Sequence, residues 1–348
     1  MINNNISSYV SQKILSMNDL VGGIEMLEKA KDLVVSIRAK AAVDRLILIY
    51  NKLNNAGLSD NVLFDLGMLS KYNYYTGMII KGYALGNGEA IVKGGRYDTL
   101  LEKFGKPAPA IGFVIVLEDL MNAIIKQDKI DDEYLTFALT KGRLANKTLE
   151  LLEKIGITCE EMKDKDTRKL IFVNEELKLK FFLSKGPDVP TYVEYGAADI
   201  GVVGKDTIME EDRRVYEVLD LGFGKCRMCV CGPHDANELL KHHEFIRVCS
   251  KYPKIAKEYF YNKKHQTVDI IKLNGSVELG PIVSLGDVIV DIVETGSTLR
   301  ENGLEVLETI CDLSARVIVN QVSMQIHSER IRKLINQLKE VVENNENR

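Results

Sequence analysis

The stretch Asp287–Arg300 reads DVIVDIVETGSTLR, an apolar strand that runs directly into a hydroxyl-rich loop and a predicted helix. A strand followed at once by a loop and a helix is the repeating unit of α/β folds. Thr295, Ser297 and Thr298 supply hydroxyls where free backbone N–H groups and the positive end of a helix dipole converge. The stretch therefore predicts a phosphate cradle. An ordinary Ser/Thr cap on a helix after a buried strand would give the same local pattern.

Two carboxylates stand just before the hydroxyls of this loop. Asp291 and Glu294 would repel a phosphate unless they face sugar hydroxyls or a bound metal ion. A phosphorylated sugar meets both requirements, because its phosphate fits the loop and its hydroxyls fit the carboxylates. We therefore predict a sugar phosphate as the ligand class, and leave any metal ligands unassigned.

The surrounding sequence alternates between strands and helices. Apolar strands are predicted at 135–139, 170–173, 179–183, 200–203, 229–231, 245–248, 268–273, 288–293 and 315–319, with helices at 144–155, 189–195 and 255–261. This order is typical of a mainly parallel α/β sheet. The number of strands fits two lobes around a cleft better than one sheet. Lobe I is predicted at about 131–225 plus 310–348, and lobe II at about 226–309.

The first third of the chain has a different pattern. Apolar residues recur at helical spacing from Ile14 to about Leu53, which predicts amphipathic helices. Short extended runs follow, and the turn Gly86-Asn87-Gly88 predicts a hairpin with antiparallel pairing. The charged segment 127–133 is the best linker candidate. We therefore predict an α+β domain with an antiparallel sheet at 1–130 and the α/β domain at 131–348.

A second group of cations follows the first strand of the α/β domain. Thr140-Lys141-Gly142-Arg143 stands where the C-terminal ends of parallel strands face ligand crevices. Arg168 precedes the next strand and offers a guanidinium whose fork matches phosphate oxygens. For each arginine taken alone, a solvated surface charge is the stronger expectation. No Walker GxxxxGK[ST] pattern occurs and no GxGxxG follows a strand, so P-loop ATPases and Rossmann dehydrogenases are excluded.

The composition is that of a folded chain of two or three domains. Of 348 residues, 45% are hydrophobic and 28% are charged, which excludes disorder as the main feature. The net charge of −4 gives no bulk attraction to nucleic acid or to an anionic membrane. The start lacks the features of a signal peptide and no segment has 18 uninterrupted apolar residues, which predicts a cytoplasmic location.

The six cysteines are spread thinly over a chain without an export signal, so we expect reduced thiols rather than disulfides. Cys226, Cys229 and Cys231 lie close together, but no second Cys or His pair at metal spacing follows them. Zinc binding is therefore the weaker hypothesis, and thiols along a buried strand are the stronger one.

From about residue 134 to 325 the chain resembles the short form of ATP phosphoribosyltransferase. The motifs that carry the resemblance are LTKGRL (139–144), TRKLIF (167–172), DVPTYVEYGAAD (188–199), GKD (204–206), LDLGFGKC (219–226), IKLNGSVEL (271–279) and ETG (294–296). The two lobes also match the architecture of periplasmic-type binding proteins. The resemblance implies the first step of histidine biosynthesis. In that step, N1 of ATP displaces pyrophosphate from the anomeric carbon of 5-phosphoribosyl 1-pyrophosphate, and N1-(5-phosphoribosyl)-ATP forms.

The resemblance also implies roles for individual residues. Arg143 and Arg168 would stabilise the departing pyrophosphate, to which Mg²⁺ is bound, and Asp291 and Glu294 would face the ribose. The loop that would hold the 5-phosphate consists of Thr295, Gly296, Ser297, Thr298 and Leu299. Contacts to the nucleotide are implied for Lys141, Lys185, Asp188, Gly204 and Glu278. Because adenine N1 is itself a nucleophile, no Cys/His or Ser/His pair is required.

The part before residue 130 resembles a truncated regulatory subunit related to histidyl-tRNA synthetase. The motifs are DLG (65–67), YYTGM (74–78), GGRYDTL (94–100), FG (104–105) and PAIGF (109–113). They cover the later half of the class II synthetase core, and Asp119 and Ser70 stand where arginines are expected. The resemblance thus implies a natural fusion of regulator and catalyst. It further implies a homo-oligomer built on catalytic dimers and histidine as a candidate inhibitor. The net charge of −4 and the lack of a long apolar segment predict no nucleic acid or membrane partner.

Two other functions are alternatives. A two-lobed nucleotide- or phosphate-binding regulatory protein without turnover would share the cleft, but the phosphate loop and the lack of signal-peptide features count against a binding protein of the periplasmic type. A synthetase-derived RNA-binding protein would share the N-terminal motifs, but the net negative charge disfavours it.

Overall fold

A computed structural model describes residues 12–13, 16–17, 20–70, 73–126, 134–163, 169–242 and 245–346. The chain divides into two compact units, Met1–Ile125 and Lys126–Arg348. The predicted domain boundary near residue 130 falls within 127–133, outside the described residues. In the part of the chain that the structure describes, no helix is long and apolar enough to cross a membrane.

The first unit begins with helices, as the apolar spacing predicts. Helix α1 (Ile24–Leu33) is followed by the longer helix α2 (Ile37–Asn55). Leu20, Ala30 and Val43 are buried together and form a small core between these elements. The remaining elements of the unit are β1 (Val21–Gly22), β2 (Phe64–Asp65), β3 (Ile79–Gly82), β4 (Val92–Tyr97), β5 (Ala110–Ile115) and α3 (Leu117–Lys126).

Strands β3, β4 and β5 form an antiparallel sheet in that order, which confirms the predicted hairpin. Gly94 and Gly95 lie in the middle of β4. A Cβ atom on Gly94 would come within 2.4 Å of the carbonyl oxygen of Gly112, and one on Gly95 within 2.7 Å of the Tyr75 ring. The close approach of the neighbouring strand and of this ring therefore requires glycine at both positions.

The second unit alternates strands and helices. Its strands are β6 (Leu135–Thr140), β7 (Ile171–Asn174), β8 (Leu179–Ser184), β9 (Ile200–Gly204), β10 (Tyr216–Asp220), β11 (Cys226–Gly232), β12 (Ile246–Ser250), β13 (Val268–Lys272), β14 (Val288–Val293), β15 (Glu305–Leu313) and β16 (Ala315–Val319). Its helices are α4 (Arg143–Lys154), α5 (Val189–Glu194), α6 (Lys205–Glu211), α7 (Ala236–Lys241), α8 (Pro253–Lys257), α9 (Leu279–Ile282), α10 (Ser297–Glu301), α11 (Gln321–Ile326) and α12 (Ser328–Glu346). A π-helical turn, Glu258–Lys263, continues α8.

These strands form two sheets, one for each lobe. The sheet of lobe I has the order β10-β16-β9-β6-β8-β7, and that of lobe II has the order β13-β12-β14-β11-β15. Lobe II therefore runs to Leu313, four residues beyond the predicted limit of 309. The apolar pattern does not predict β10 and β15, because charged residues interrupt their apolar runs and both strands are only partly buried.

The expectation of mainly parallel sheets is wrong, since both sheets are mixed. Parallel pairing is confined to β6 with β8 and β9 and to β12 with β13 and β14. Most antiparallel pairs involve β10, β11, β15 or β16, the strands on which the chain leaves or enters a lobe. A strand that arrives from the other lobe needs no helical crossover within its own sheet, so nothing forces it to run parallel.

Each lobe has its own apolar core. In lobe I the rings of Phe137 and Phe181 stack at a centroid distance of 5.0 Å, among buried residues of the sheet, α4 and α12. In lobe II Met228, Val248 and Phe260 are fully buried between the sheet and its helices. The two rigid cores fix the strand ends and therefore the loops that begin there.

Candidate active site

The hydroxyl-rich loop follows β14 as predicted. Gly296 adopts a φ of +71°, a left-handed conformation that glycine adopts without strain, and α10 begins at the next residue. The hydroxyl oxygens of Thr295 and Ser297 lie 3.1 Å apart, and Arg300 Nη1 donates to the carbonyl oxygen of Thr295 at 3.3 Å. The loop thus gathers two hydroxyls and a guanidinium. Thr298 is exposed at the start of α10, whereas Leu299 is buried in the core beneath it and anchors the loop.

Asp291 lies on β14, three residues before Glu294. Burial raises the pKa of the Asp291 carboxyl to about 6. The charges of Glu278 and Asp206 act in the same direction, while the backbone N–H of Ile292 and the charge of Lys251 oppose them. Two carboxylates from other parts of the second unit therefore act on the Asp291 carboxyl.

The cation motif of lobe I lies at the end of β6. Thr140 donates its hydroxyl proton to the carbonyl oxygen of Val202 at 2.9 Å, and the Lys141 N–H donates to the carbonyl oxygen of Ser184 at 2.9 Å. These bonds tie the end of β6 to both neighbouring strands. Gly142 then takes a φ of +94°, and α4 begins at Arg143. The turn leaves the Arg143 side chain 86% exposed and free to reach a ligand.

Arg143 and Glu294 meet across the cleft. Arg143 Nη2 of lobe I lies 3.8 Å from Glu294 Oε2 of lobe II. Both side chains are solvent-exposed, so the pair contributes little to stability. The contact matters for the geometry of the site. It shows that the cation motif after β6 and the hydroxyl-rich loop after β14 lie on opposite sides of one cleft.

The remaining nucleotide candidates divide between the lobes. Lys185 and Asp188 are exposed on the turn after β8, beside the end of β6: a Cβ atom on Gly186 would lie 3.6 Å from Thr140 Cγ2. Gly204 ends β9, where a Cβ atom would come within 2.2 Å of Asp206 Oδ1. Glu278 belongs to lobe II and lies near Asp291, which its charge affects. Arg168 lies outside the described residues.

Sequence analysis does not single out Asp206 or Tyr252 as site residues. Burial raises the pKa of the Tyr252 hydroxyl, and the charges of Asp206 and Asp291 and a hydrogen bond with Asp206 act in the same direction. Asp206 follows β9 and Tyr252 follows β12. The signal that could have found them is their position just beyond the carboxyl ends of strands.

A concave surface adjoins Glu294 where the chain crosses between the lobes. A cavity of about 400 Å³ is lined there by Lys225, Arg227, Glu294 and Arg316, among others. The segments that cross between the lobes therefore line this cavity beside Glu294.

The cysteines behave as buried thiols. All six are free, and burial raises the pKa of the thiols of Cys226 and Cys231 to about 11 and about 12. Such thiols are protonated at neutral pH and are poor metal ligands. Within the described ranges, no group of three or more His, Cys, Asp or Glu side chains could hold a metal ion.

The fold and the site together define a class: a two-lobed α/β protein whose strand-end loops meet across a cleft that suits a small anionic ligand. Family models match on both units. Residues 185–340 match the ATP phosphoribosyltransferase model, and residues 1–120 match the histidyl-tRNA synthetase model.

Individual relatives carry the same name as the family model that matches the second unit. The chain is 74% identical over 210 residues to "ATP phosphoribosyltransferase" of Lachnoclostridium phytofermentans, which covers 60% of this chain and 98% of the relative. It is 72% identical over 210 residues to the protein of the same name from Lachnospira eligens, which covers 60% and 97%. Among solved structures, it is similar to the ATP phosphoribosyl transferase (HisG:HisZ) complex from Thermotoga maritima, with 33% identity and a TM-score of 0.52, covering 60% of this chain and 99% of that one.

The chain belongs to the ATP phosphoribosyltransferase family, and it carries an N-terminal domain of the histidyl-tRNA synthetase type. Membership confirms the predicted fusion, the predicted two-lobed fold and the predicted enzyme class, a phosphoribosyltransferase of histidine biosynthesis.

Proposed function

We propose that the cleft of the second unit joins N1 of ATP to the anomeric carbon of 5-phosphoribosyl 1-pyrophosphate and releases pyrophosphate. The observation that carries this assignment of the site is the 3.8 Å contact between Arg143 and Glu294. It supports a site in which the cation motif of lobe I faces the phosphate loop of lobe II across one cleft.

Stabilisation of the leaving group is the main task of the site. Pyrophosphate departs with its negative charge while positive character develops on the ribose ring, so charges held in advance at these places lower the barrier. Arg143 and Arg168 are proposed to bind the pyrophosphate oxygens. Mg²⁺ arrives as part of the substrate, bound to the pyrophosphate group, and neutralises charge there.

The loop Thr295–Leu299 is proposed to hold the 5-phosphate through its hydroxyls and backbone N–H groups. Asp291 and Glu294 then face the ribose hydroxyls, which donate hydrogen bonds to carboxylates. Since the pKa of Asp291 is about 6, this carboxyl gains its charge between pH 5 and 7. Binding of the ribose is therefore expected to improve as the pH rises through this range.

The nucleotide is proposed to lie against Lys141, Lys185, Asp188, Gly204 and Glu278. Adenine N1 carries a lone pair at neutral pH, so the residues need to orient ATP rather than remove a proton from it. We further propose a cytoplasmic homo-oligomer built on catalytic dimers, with histidine as a candidate inhibitor.

A pyrophosphate-release assay with ATP, 5-phosphoribosyl 1-pyrophosphate and Mg²⁺ tests the reaction, with and without histidine. Arg143→Ala is expected to lower kcat by about 10²- to 10³-fold, the usual loss when one charge-stabilising donor is removed. Arg143→Lys keeps the charge but loses the forked guanidinium, so an intermediate loss is expected. Arg332→Ala on α12 is the matched control and should leave kcat unchanged.

Each result bears on one part of the proposal. Full activity of Arg143→Ala would contradict the role of Arg143. Binding of both substrates by the unmodified chain without release of pyrophosphate would favour the alternative of a binding protein without turnover.

A further inference from the structure

An apolar surface lies open on the first unit. β5 and α3 present eight apolar side chains with exposed fractions between 43% and 71%: Ile111, Phe113, Val114, Ile115, Leu117, Met121, Ile124 and Ile125. Apolar residues exposed in such number on consecutive elements mark an interaction site on a folded protein. We call these eight residues the β5–α3 surface.

β5 is also an open edge of its sheet. In the sheet as described, β4 lies on one side of β5 and no described strand lies on the other. The N–H of Val116, just past the strand, donates to the Ile91 carbonyl oxygen at 2.9 Å. Because backbone groups alternate in direction along a strand, those of Ile111, Phe113 and Ile115 point to the open edge. β5 has neither a charged residue nor a register shift, the features that usually protect an edge.

We propose that the β5–α3 surface binds the same surface of a second copy of this chain, with the two β5 strands antiparallel and Phe113 opposite the partner's Phe113. Ile111 then lies opposite the partner's Ile115. The pairing extends the three-stranded sheet into one of six strands across a two-fold axis, and every contact is made twice.

The charges beside β5 favour a second copy in this orientation. Glu102, Lys103 and Lys106 precede the strand with a net positive charge, and Glu118 and Asp119 follow it with a negative one. In an antiparallel pair the basic end of one strand lies beside the acidic end of the other, whereas a parallel pair would place like charges together. Complementary charges of this kind select a partner and fix its register.

The size of the surface is sufficient for a specific dimer. The aromatic side chain of Phe113 can bury about 150–250 Å², and the seven other exposed apolar side chains extend the contact toward the roughly 800 Å² per partner of a specific interface. This interface is separate from the catalytic unit and does not depend on the reaction proposed above.

Cross-linking of the full chain tests the register. In a hydrogen-bonded antiparallel pair, opposite Cα atoms lie about 5.5 Å apart, within the range of a disulfide. Under mild oxidation, Phe113→Cys should therefore form a 113–113 disulfide between chains, identified by peptide mass spectrometry among the native thiols. Ile111→Cys alone should not link, but a mixture of Ile111→Cys and Ile115→Cys chains should. Phe245→Cys is the control, because Phe245 is 68% exposed and Phe113 is 67% exposed.

Sedimentation tests the assembly itself. Phe113→Lys would place two positive charges together on the two-fold axis, so the mass of the assembly should fall by half, while Phe245→Lys should leave it unchanged. Circular dichroism checks that each variant is folded, and Ile111→Lys replaces Phe113→Lys if that variant is not. The proposal requires both the 113–113 link and the fall in mass. Absence of either one overturns it, as does hydrogen-exchange protection of β5 in a monomeric chain.

Discussion

β14 and β5 are both six-residue strands with apolar sequences, VIVDIV and AIGFVI, yet their surroundings differ completely. Ile289 of β14 is 0% exposed between β12 and β11, whereas Ile111 of β5 is 56% exposed at a sheet edge. An apolar run thus predicts that a strand forms, but not what covers it. The residues that bury a strand come from elements far away in sequence. For β5 we assign this role to a second chain.

Truncation of the two isoleucines gives the largest expected difference between these strands. Ile289→Ala should lower the free energy of unfolding of the second unit by about 2–5 kcal/mol, because it leaves a cavity in a packed core. Ile111→Ala should change that of the first unit by no more than about 0.5 kcal/mol at low protein concentration. Hydrogen exchange resolved by peptide reads the two units separately. An equal loss in the free energy of unfolding at both positions would show that β5 is buried within its own chain. The two strands would then not differ in their surroundings.

A methyl group on Gly94 tests how tightly β4 and β5 are packed despite the open edge. Gly94→Ala should destabilise the first unit by about 1–3 kcal/mol, because the new Cβ atom would meet the backbone oxygen of Gly112. The control is Gly275→Ala, where no atom lies within 4 Å of a new Cβ and a small stabilisation is expected. Exchange rates of peptides from β4 provide the measurement. If Gly94→Ala is neutral, the sheet of the first unit is looser than the strand pairing implies.

Removal of the Asp291 charge within β14 gives the smallest expected change in the free energy of unfolding. Burial raises the pKa of Asp291 to about 6 in the folded chain, above its ordinary value of 3.8, so the folded state binds more protons between these values. Stability contributed by this group is therefore present at low pH and lost as the pH rises to 6. Asp291→Asn should raise the free energy of unfolding by about 1–2 kcal/mol at pH 7, and the gain should vanish below about pH 4.

Asp269→Asn on β13 serves as the control for this substitution, since Asp269 is exposed. Denaturant titrations at pH 4, 5.5 and 7 provide the comparison. A gain at pH 7 that persists at pH 4 would mean that packing, and not the charge, is responsible. The same variant should lose affinity for 5-phosphoribosyl 1-pyrophosphate, because Asn lacks the charged acceptor proposed for the ribose.

Much of the fold could be predicted from local patterns, and the failures have a common cause. β14 and β16 begin and end where their apolar runs do. β10 and β15 carry no clear local signal, because each is stabilised by its neighbours in the sheet rather than by its own hydrophobicity. The alternation of helices and strands favours parallel pairing, but the strands that cross between the lobes are not subject to this constraint.

Local sequence patterns likewise predict only part of the site. The loop after β14 and the motif after β6 are visible in sequence because glycines, hydroxyls and cations cluster there. Asp206 and Tyr252 come near Asp291 only through the packing of three strand ends, and their one local signal is a position just beyond the carboxyl ends of strands. The proximity of Arg143 and Glu294, 151 positions apart in the printed sequence, likewise depends on the closure of two lobes.

The position of β16 has a consequence for the order of folding. This strand lies between β9 and β10 in the sheet of lobe I, but it comes from residues 315–319, after the whole of lobe II. During synthesis, lobe II is therefore available in full before lobe I has the strand that joins its two parts. A released chain that ends before Ala315 would therefore contain every strand of the inner lobe but not every strand of the outer one, and the active cleft would form last.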